Sequence, residues 1–296
     1  MSKTPQDLQQ RVVGAYLGLA IGDALGATTE FLTPREIEHK YGCHRDIIGG
    51  GWLHLKPGLV TDDTEMSLAL GQSIIDNQGV KADAVAQAFS DWMRTKPVDI
   101  GNTVRRGIIH YRNSGNPHVK VNEYDAGNGA CMRSLPIAIF YHNSALESMR
   151  QASQNQAHTT HNNFISDAGT ETIIEMLMAA FSSHDKHNLK IISEQLVTQH
   201  PIYRYDKRRV ENPSGWIVET LQSVFQAFFA HDSFEEILID VVNRGGDSDT
   251  TGAIAGMLAG AFYKVSNIPQ FWQKKLNQNI KRQCEEQALQ LLSMTQ

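Results

Sequence analysis

Seven glycines spaced four residues apart constrain this chain more than any other feature: Gly14, Gly18, Gly22 and Gly26 near its start, Gly252, Gly256 and Gly260 near its end. On a helix, residues four apart share a face, so each run forms a strip bare of side chains. Glycine is worse than alanine by about 1 kcal/mol at an interior helical position, so the strips require a compensating gain. Close approach of one backbone to another supplies it. Small residues at this spacing also occur in membrane helices. Here, however, the longest apolar stretch, 253–263, is far shorter than the roughly 20 residues that a span needs. The strips therefore read as packing surfaces inside a globular protein, and no membrane span is expected.

Apolar periodicity predicts helices over 7–24, 64–76, 82–94, 167–181, 214–229, 234–243 and 250–263, and no segment alternates as a strand would. Between them, 33–60, 97–133 and 154–166 are rich in Gly, Asn, His and Asp and read as long loops, which tend to carry function. No Pro/Ser-rich linker or break in composition divides the 296 residues. The expectation is one all-α domain over 1–296, a compact bundle of crossing helices. Lys plus Arg number 27 against 32 Asp plus Glu, so the chain has no global positive field to gather nucleic acid. An anionic ligand must be bound locally. The three cysteines lie far apart and form no C-x-x-C pair, and the N-terminus shows no signal pattern, which points to a reducing cytoplasm.

Two acidic clusters stand directly before helical runs: Thr61-Asp62-Asp63-Thr64-Glu65 and Asp247-Ser248-Asp249-Thr250-Thr251. One reading is N-capping, because carboxylates suit the unpaired N–H groups and the positive end of the helix dipole. A single Asp suffices for a cap, though, and crowding several carboxylates adds repulsion that a bound cation would relieve. The donors are carboxylates and hydroxyls, with no Cys or His in either cluster, so the site is one for hard cations. Mg²⁺ or Mn²⁺ fits better than Zn²⁺. The Asp-rich helix of isoprenoid synthases is a rival pattern, but position 66, where its third Asp would fall, is Met.

Five segments belong together: Gly22-Asp23-Ala24-Leu25-Gly26 with Glu30, Thr61-Asp62-Asp63-Thr64, Gly127-Asn128-Gly129-Ala130-Cys131-Met132-Arg133, Thr160-His161, and the run from Arg244 to Gly252. Taken together, they resemble the ADP-ribosylglycohydrolase family. Each is weak alone; all five in the family's order, across nearly the whole chain, are specific. The Gly49-Gly50-Gly51-Trp52 loop and the stretch from Val98 to Thr103 look most like the branch of nitrogen-fixing bacteria. That branch removes ADP-ribose from an arginine of dinitrogenase reductase.

The resemblance implies a helical fold with two Mn²⁺ or Mg²⁺ ions at the bottom of a cleft, held by Thr61, Asp62, Asp63, Asp247, Asp249 and Thr250. It further implies Asp99 and Glu30 as catalytic carboxylates. Substrate contacts would come from Asn102, Thr103, Val104, Glu123, Gly127, Asn128, Gly129, Met132, His161, His158 and Trp216. Trp216 stands where the branch more typically has a tyrosine, keeping the stacking surface and losing the hydroxyl. Asp23 reads equally as a cap or as an acceptor behind the ligands. The basic and aromatic run 203–209 is taken as a contact for anionic ADP-ribose or for the modified protein. The implied partners are ADP-ribosylated dinitrogenase reductase, free ADP-ribose as product and a PII-type signalling protein that would bring a cytoplasmic monomer to the membrane periphery. Other linkages (serine, O-acetyl-ADP-ribose) and a non-catalytic ADP-ribose-binding or structural role are the alternatives.

Overall fold

The two glycine strips pack against each other. The computed structural model describes residues 5–295; residues 1–4 and Gln296, which the expected domain 1–296 includes, lie outside the described residues. The first strip lies on α1 (Pro5–Gly26). There follow α2 (Pro34–Tyr41), α3 (Asp62–Asn77), α4 (Ala82–Arg94), α5 (Asn102–Ser114), α6 (Leu135–Phe140), α7 (Leu146–Ala157), α8 (Phe164–Ser182) and α9 (Lys186–Gln199). The chain continues through α10 (Ile217–Ala230) and α11 (Phe234–Val242) to α12 (Ser248–Tyr263), which carries the second strip, and closes with α13 (Gln270–Lys275) and α14 (Gln278–Ser293). Among the described residues there is no strand, only the isolated bridges Gly50 to Leu55 and Gly127 to Trp216, so the all-α expectation holds.

Helices α1 and α12 run antiparallel, with Gly14 against Gly260, Gly18 against Gly256, Gly22 against Gly252 and Gly26 against Ser248. A Cβ at Gly252 would lie 2.5 Å from the Gly22 carbonyl oxygen, so the two backbones touch where side chains would normally stand. Residues Ser248–Phe262 of α12 are all buried, and α1 is buried over most of its length. A helix that is apolar on every side belongs at the centre of a fold. The other helices surround this pair. Buried Arg11 ties the far end together by donating to the carbonyls of Ala180 (2.9 Å), Ala261 (3.1 Å) and Phe262 (3.1 Å), near the C-termini of α8 and α12, where a cation is favoured.

The expected loops 33–60 and 97–133 each contain a helix, α2 and α5, and α6, α7, α9, α13 and α14 also lie outside the expected helices. The cue for α2 was present: Thr33 and Glu36 form a capping box, with Pro34 in the first turn. Helix α5 buries only Val104, Gly107 and Ile108, so its apolar stripe is too thin to register as a period.

Candidate active site

The glycine contact decides where the chemistry-bearing residues meet. Because α1 ends where α12 begins, Asp23 and Glu30 lie beside Asp247 and Asp249. The two oxygens of the Asp23 carboxylate accept from the N–H groups of Thr61 (3.0 and 3.1 Å) and Thr64 (3.1 Å) and from both of these hydroxyls. Asp23 thus caps α3 from another helix, and Thr61, at the cap position, makes no capping bond of its own. That frees Asp62 and Asp63 from capping. Asp247 also makes no side-chain cap to α12. Capping therefore does not account for either cluster.

The clusters meet. Thr61 Oγ1 lies 3.2 Å from Asp63 Oδ2 and 3.5 Å from Asp249 Oδ2, and Thr250 Oγ1 lies 3.3 Å from Asp63 Oδ2. Carboxylate oxygens of Glu30, Asp247 and Asp249 fall within 4.8 Å of one another. Asp62 accepts from the Gly101 N–H (3.2 Å) at the start of α5, and Asn128 Nδ2 donates to Asp247 (2.6 Å). Among the described residues, no Lys, Arg or His forms an ion pair with Glu30, Asp62, Asp63, Asp247 or Asp249. Burial first, then mutual repulsion, raises these carboxyls: Asp62 to about 8 and Asp63 and Asp249 well above the usual range. Glu30 is also pushed to about 8, by burial and then by Asp247, Asp99 and Asp62, against the bond from Trp52 that lowers it.

This donor set fits a hard divalent cation. The Asp63 Oδ1 atom is buried without a hydrogen-bond partner, which is costly for a carboxylate unless a proton or a cation occupies it. The neighbouring donors are all oxygens, as Mg²⁺ or Mn²⁺ requires.

Above these residues opens a cleft of about 650 Å³. Glu30, Asp62, Asp99, Asn102, Thr103, Val104, Gly127, Asn128, Gly129, Met132, His161, Asp247, Asp249 and Thr250 line it, while Thr61 and Asp63 are buried within hydrogen-bond reach of that wall. Asp99 is half-buried; burial raises its carboxyl, and its Oδ1 also accepts the Ile100 N–H at 2.7 Å, so it forms a turn and faces the cleft at once. Three expected contacts are not among the lining residues. Glu123 is exposed, His158 pairs with Asp167 at 3.0 Å, and Trp216 is half-exposed next to Gly215, which does line the cleft. The run 203–209 is also away from the cleft, because Tyr203 is fully buried on the Ile165 carbonyl and Arg209 pairs with Glu211 and Asp240. The structure adds Phe31, Trp52, Asn212 and Pro213, for which the sequence carried no separate signal except at Trp52.

The Gly-Asn-Gly loop proves to serve a neighbour. A Cβ on Gly127 or Gly129 would come within 2.9 or 2.8 Å of the His161 ring, so these glycines make room for the imidazole. The Asn128 N–H is already spent on the Gly215 carbonyl (3.0 Å). His161 Nδ1 lies 2.7 Å from Thr160 Oγ1, which accepts from Arg133 Nη2 at 2.8 Å. With the lone pair of Oγ1 facing Arg133, its hydrogen is free for Nδ1, which assigns the remaining proton to Nε2. Burial, then the Arg133 charge, depresses the imidazole to about 3, so it is neutral in the physiological range. Arg244-Gly245-Gly246-Asp247 threads between two loops: Gly245 and Gly246 have φ of 70° and 66°, and Cβ atoms there would overlap the carbonyls of Leu32 and Pro213. Only glycine combines that backbone with that contact.

The sequence pattern of ADP-ribosylglycohydrolases matches residues 4–296. The chain is 44% identical over 293 residues, 98% of either chain, to ADP-ribosyl-[dinitrogen reductase] glycohydrolase of Rhodospirillum rubrum. It is 32% identical to the ADP-ribosylarginine hydrolase Tri1 of Pseudomonas putida, over 96% of this chain and 79% of that one. A solved structure described as an ADP-ribosylglycohydrolase-related protein complex superposes with a TM-score of 0.87 at 32% identity, covering 98% of this chain and all of the other. With family pattern, full-length relatives and fold in agreement around one acidic cleft, this chain belongs to the ADP-ribosylglycohydrolase family.

Proposed function

We propose that this protein hydrolyses the N-glycosidic bond between ADP-ribose and an arginine of dinitrogenase reductase, and so returns that enzyme to activity. The observation that carries the reading is the meeting of two acidic helix starts beneath one cleft, in a chain 44% identical to a glycohydrolase named for that substrate. The likeness to the ADP-ribosylarginine hydrolases Tri1 supports the linkage.

Two Mn²⁺ or Mg²⁺ ions would be held by Thr61, Asp62, Asp63, Asp247, Asp249 and Thr250. Bound there, they supply positive charge that fixes ribose hydroxyls and lowers the pKa of water. Cleavage of the bond to the anomeric carbon develops positive charge on the sugar, which Asp99 and Glu30, the cleft carboxyls outside that ligand set, would stabilise. Water adds its oxygen to that carbon as the C–N bond breaks, and the leaving guanidine nitrogen takes up a proton. Asp99, with its carboxyl raised by burial, handles protons at the ribose or the leaving group. Glu30 orients the attacking water, itself held by the Trp52 indole N–H at 2.5 Å. His161 offers a neutral Nε2–H to the sugar or diphosphate. Among the described residues the lining contains no Lys or Arg, so the diphosphate relies on backbone N–H groups, such as the unpaired ones of the first turn of α5.

On this reading the chain acts as a single domain and a cytoplasmic monomer, under the PII-type control that its resemblance to the nitrogenase-linked branch implies. The structure contains no helix long and apolar enough to cross a membrane among the described residues. The test is mass-spectrometric detection of free ADP-ribose from arginine-ADP-ribosylated dinitrogenase reductase, with Mn²⁺ and then with chelator, alongside a serine-linked peptide. Metal-dependent release from arginine alone is expected; release from serine alone, or none from arginine, would refute the assignment.

A further inference from the structure

At the Glu30 side of the cleft stand two aromatic residues: Phe31, which no step above uses, and Trp52, whose indole N–H holds Glu30 while its ring face has no role so far. Phe31 is 64% exposed, yet its backbone is left-handed (φ 61°), a conformation that a bulky residue rarely adopts. It is held there by its N–H bond to the Gly246 carbonyl (2.8 Å), while Gly246 N–H returns to the Leu32 carbonyl (3.0 Å). The strain yields no burial of the ring. Strained positions of this kind cluster where function requires them. Trp52, 49% exposed, is presented by the Gly49–Gly51 turn, whose three residues are all left-handed, and donates its indole N–H to Glu30. The two rings lie 5.3 Å apart and tilted by 49°, and both line the cleft.

Two aromatic faces beside a carboxylate, in a lining without Lys or Arg, make surroundings for a cation. A guanidinium suits them especially, because it is planar and delocalised, stacks on aromatic faces and donates N–H to carboxylates. We propose that Phe31 and Trp52 form the subsite for the guanidinium of the arginine from which ADP-ribose is removed, a specificity element that rests on the arginine linkage proposed above.

The experiment uses the full chain loaded with Mn²⁺, an ADP-ribosyl-arginine peptide as substrate and free ADP-ribose as inhibitor. Phe31→Gly should raise KM for the peptide roughly twofold to fivefold, the size of an exposed cation–π contact. It should leave the inhibition constant of ADP-ribose unchanged and, since glycine tolerates the backbone, the Tm unchanged or higher. Trp52→Phe keeps a ring but removes the bond to Glu30, so kcat should fall more than KM rises. A parallel weakening of ADP-ribose inhibition by Phe31→Gly would mean that the rings hold the adenosine half, and would overturn the proposal. An unchanged KM, or a lowered Tm that marks the ring as a packing element, would do the same. A wild-type protein inert towards the arginine linkage refutes the functional reading and this subsite with it; an active wild type with an unaffected Phe31→Gly variant refutes the subsite alone.

Discussion

Gly252→Ala adds one methyl group at the seam on which the site depends, and its effect follows from the geometry. The new Cβ would stand 2.5 Å from the Gly22 carbonyl oxygen and 3.0 Å from its carbon, where ordinary contact begins at 3.4 Å. The obstacle is backbone in the middle of a buried helix and has no rotamer by which to yield, so α1 and α12 must part locally by close to 1 Å. Overpacking of this kind costs about 1–3 kcal/mol, whereas alanine's better helix propensity returns about 1 kcal/mol. The net destabilisation is about 0–2 kcal/mol, or a Tm lower by up to roughly 4 °C. Activity should fall further than stability does. The displaced ends carry Asp23 and Glu30 on one side and Asp247 and Asp249 on the other, and a 1 Å misplacement of reacting groups can reduce rate about 100-fold. Thermal unfolding with Mn²⁺ and with chelator, together with release of ADP-ribose from the arginine-linked substrate, checks both parts. A variant as stable as wild type and fully active would refute the argument that backbone contact along the glycine strips aligns the two acidic helix starts.

Other consequences follow from the same residues. Glu30 and Asp62 titrate near 8 in the folded chain without cations, so each holds a proton that the unfolded chain has lost. Their stabilisation is complete below about pH 4 and is lost progressively as pH rises to 8. Chelated protein should therefore melt progressively lower from pH 5 to 8, and Mn²⁺ should reverse this; a flat profile would mean that the carboxylates are not buried together. Asp99→Asn should retain Mn²⁺ and ADP-ribose binding, measured by calorimetry, and lose most turnover, whereas wild-type turnover would remove Asp99 from the chemistry. Thr160→Val deletes the hydroxyl between Arg133 and His161, which should shift the imidazole ¹⁵N resonances towards mixed tautomers and raise KM about fivefold to thirtyfold, a change of 1–2 kcal/mol. Unchanged ¹⁵N shifts would show that Thr160 does not set the tautomer. Arg11→Met removes the cation shared by the ends of α8 and α12 and should lower stability by about 2–4 kcal/mol in urea unfolding, with kcat unaffected by the distance to the cleft.

What the sequence determined by itself was local and periodic. The four-residue spacing of glycines specified two helices each with a face built for close backbone contact, because nothing else offsets that many glycines. The crowding of Asp62 with Asp63 and of Asp247 with Asp249 specified hard-oxygen chemistry, because it depends only on residue type and proximity along the chain. Thin or polar helices such as α5 and α9 stayed hidden, since a few buried positions leave no clear period. Tertiary structure alone decided which helix ends come together, and with them the roles of single residues. Asp23 became the cap of α3 because antiparallel packing of α1 on α12 brings it to Thr61 and Thr64 across 38 and 41 residues. The glycines of the 127–129 loop became space for His161, and His158 was drawn to Asp167 instead of the cleft. Motif order records which residues a site uses; the direction each side chain faces depends on contacts between segments far apart in the chain, and those exist only once the backbones have met.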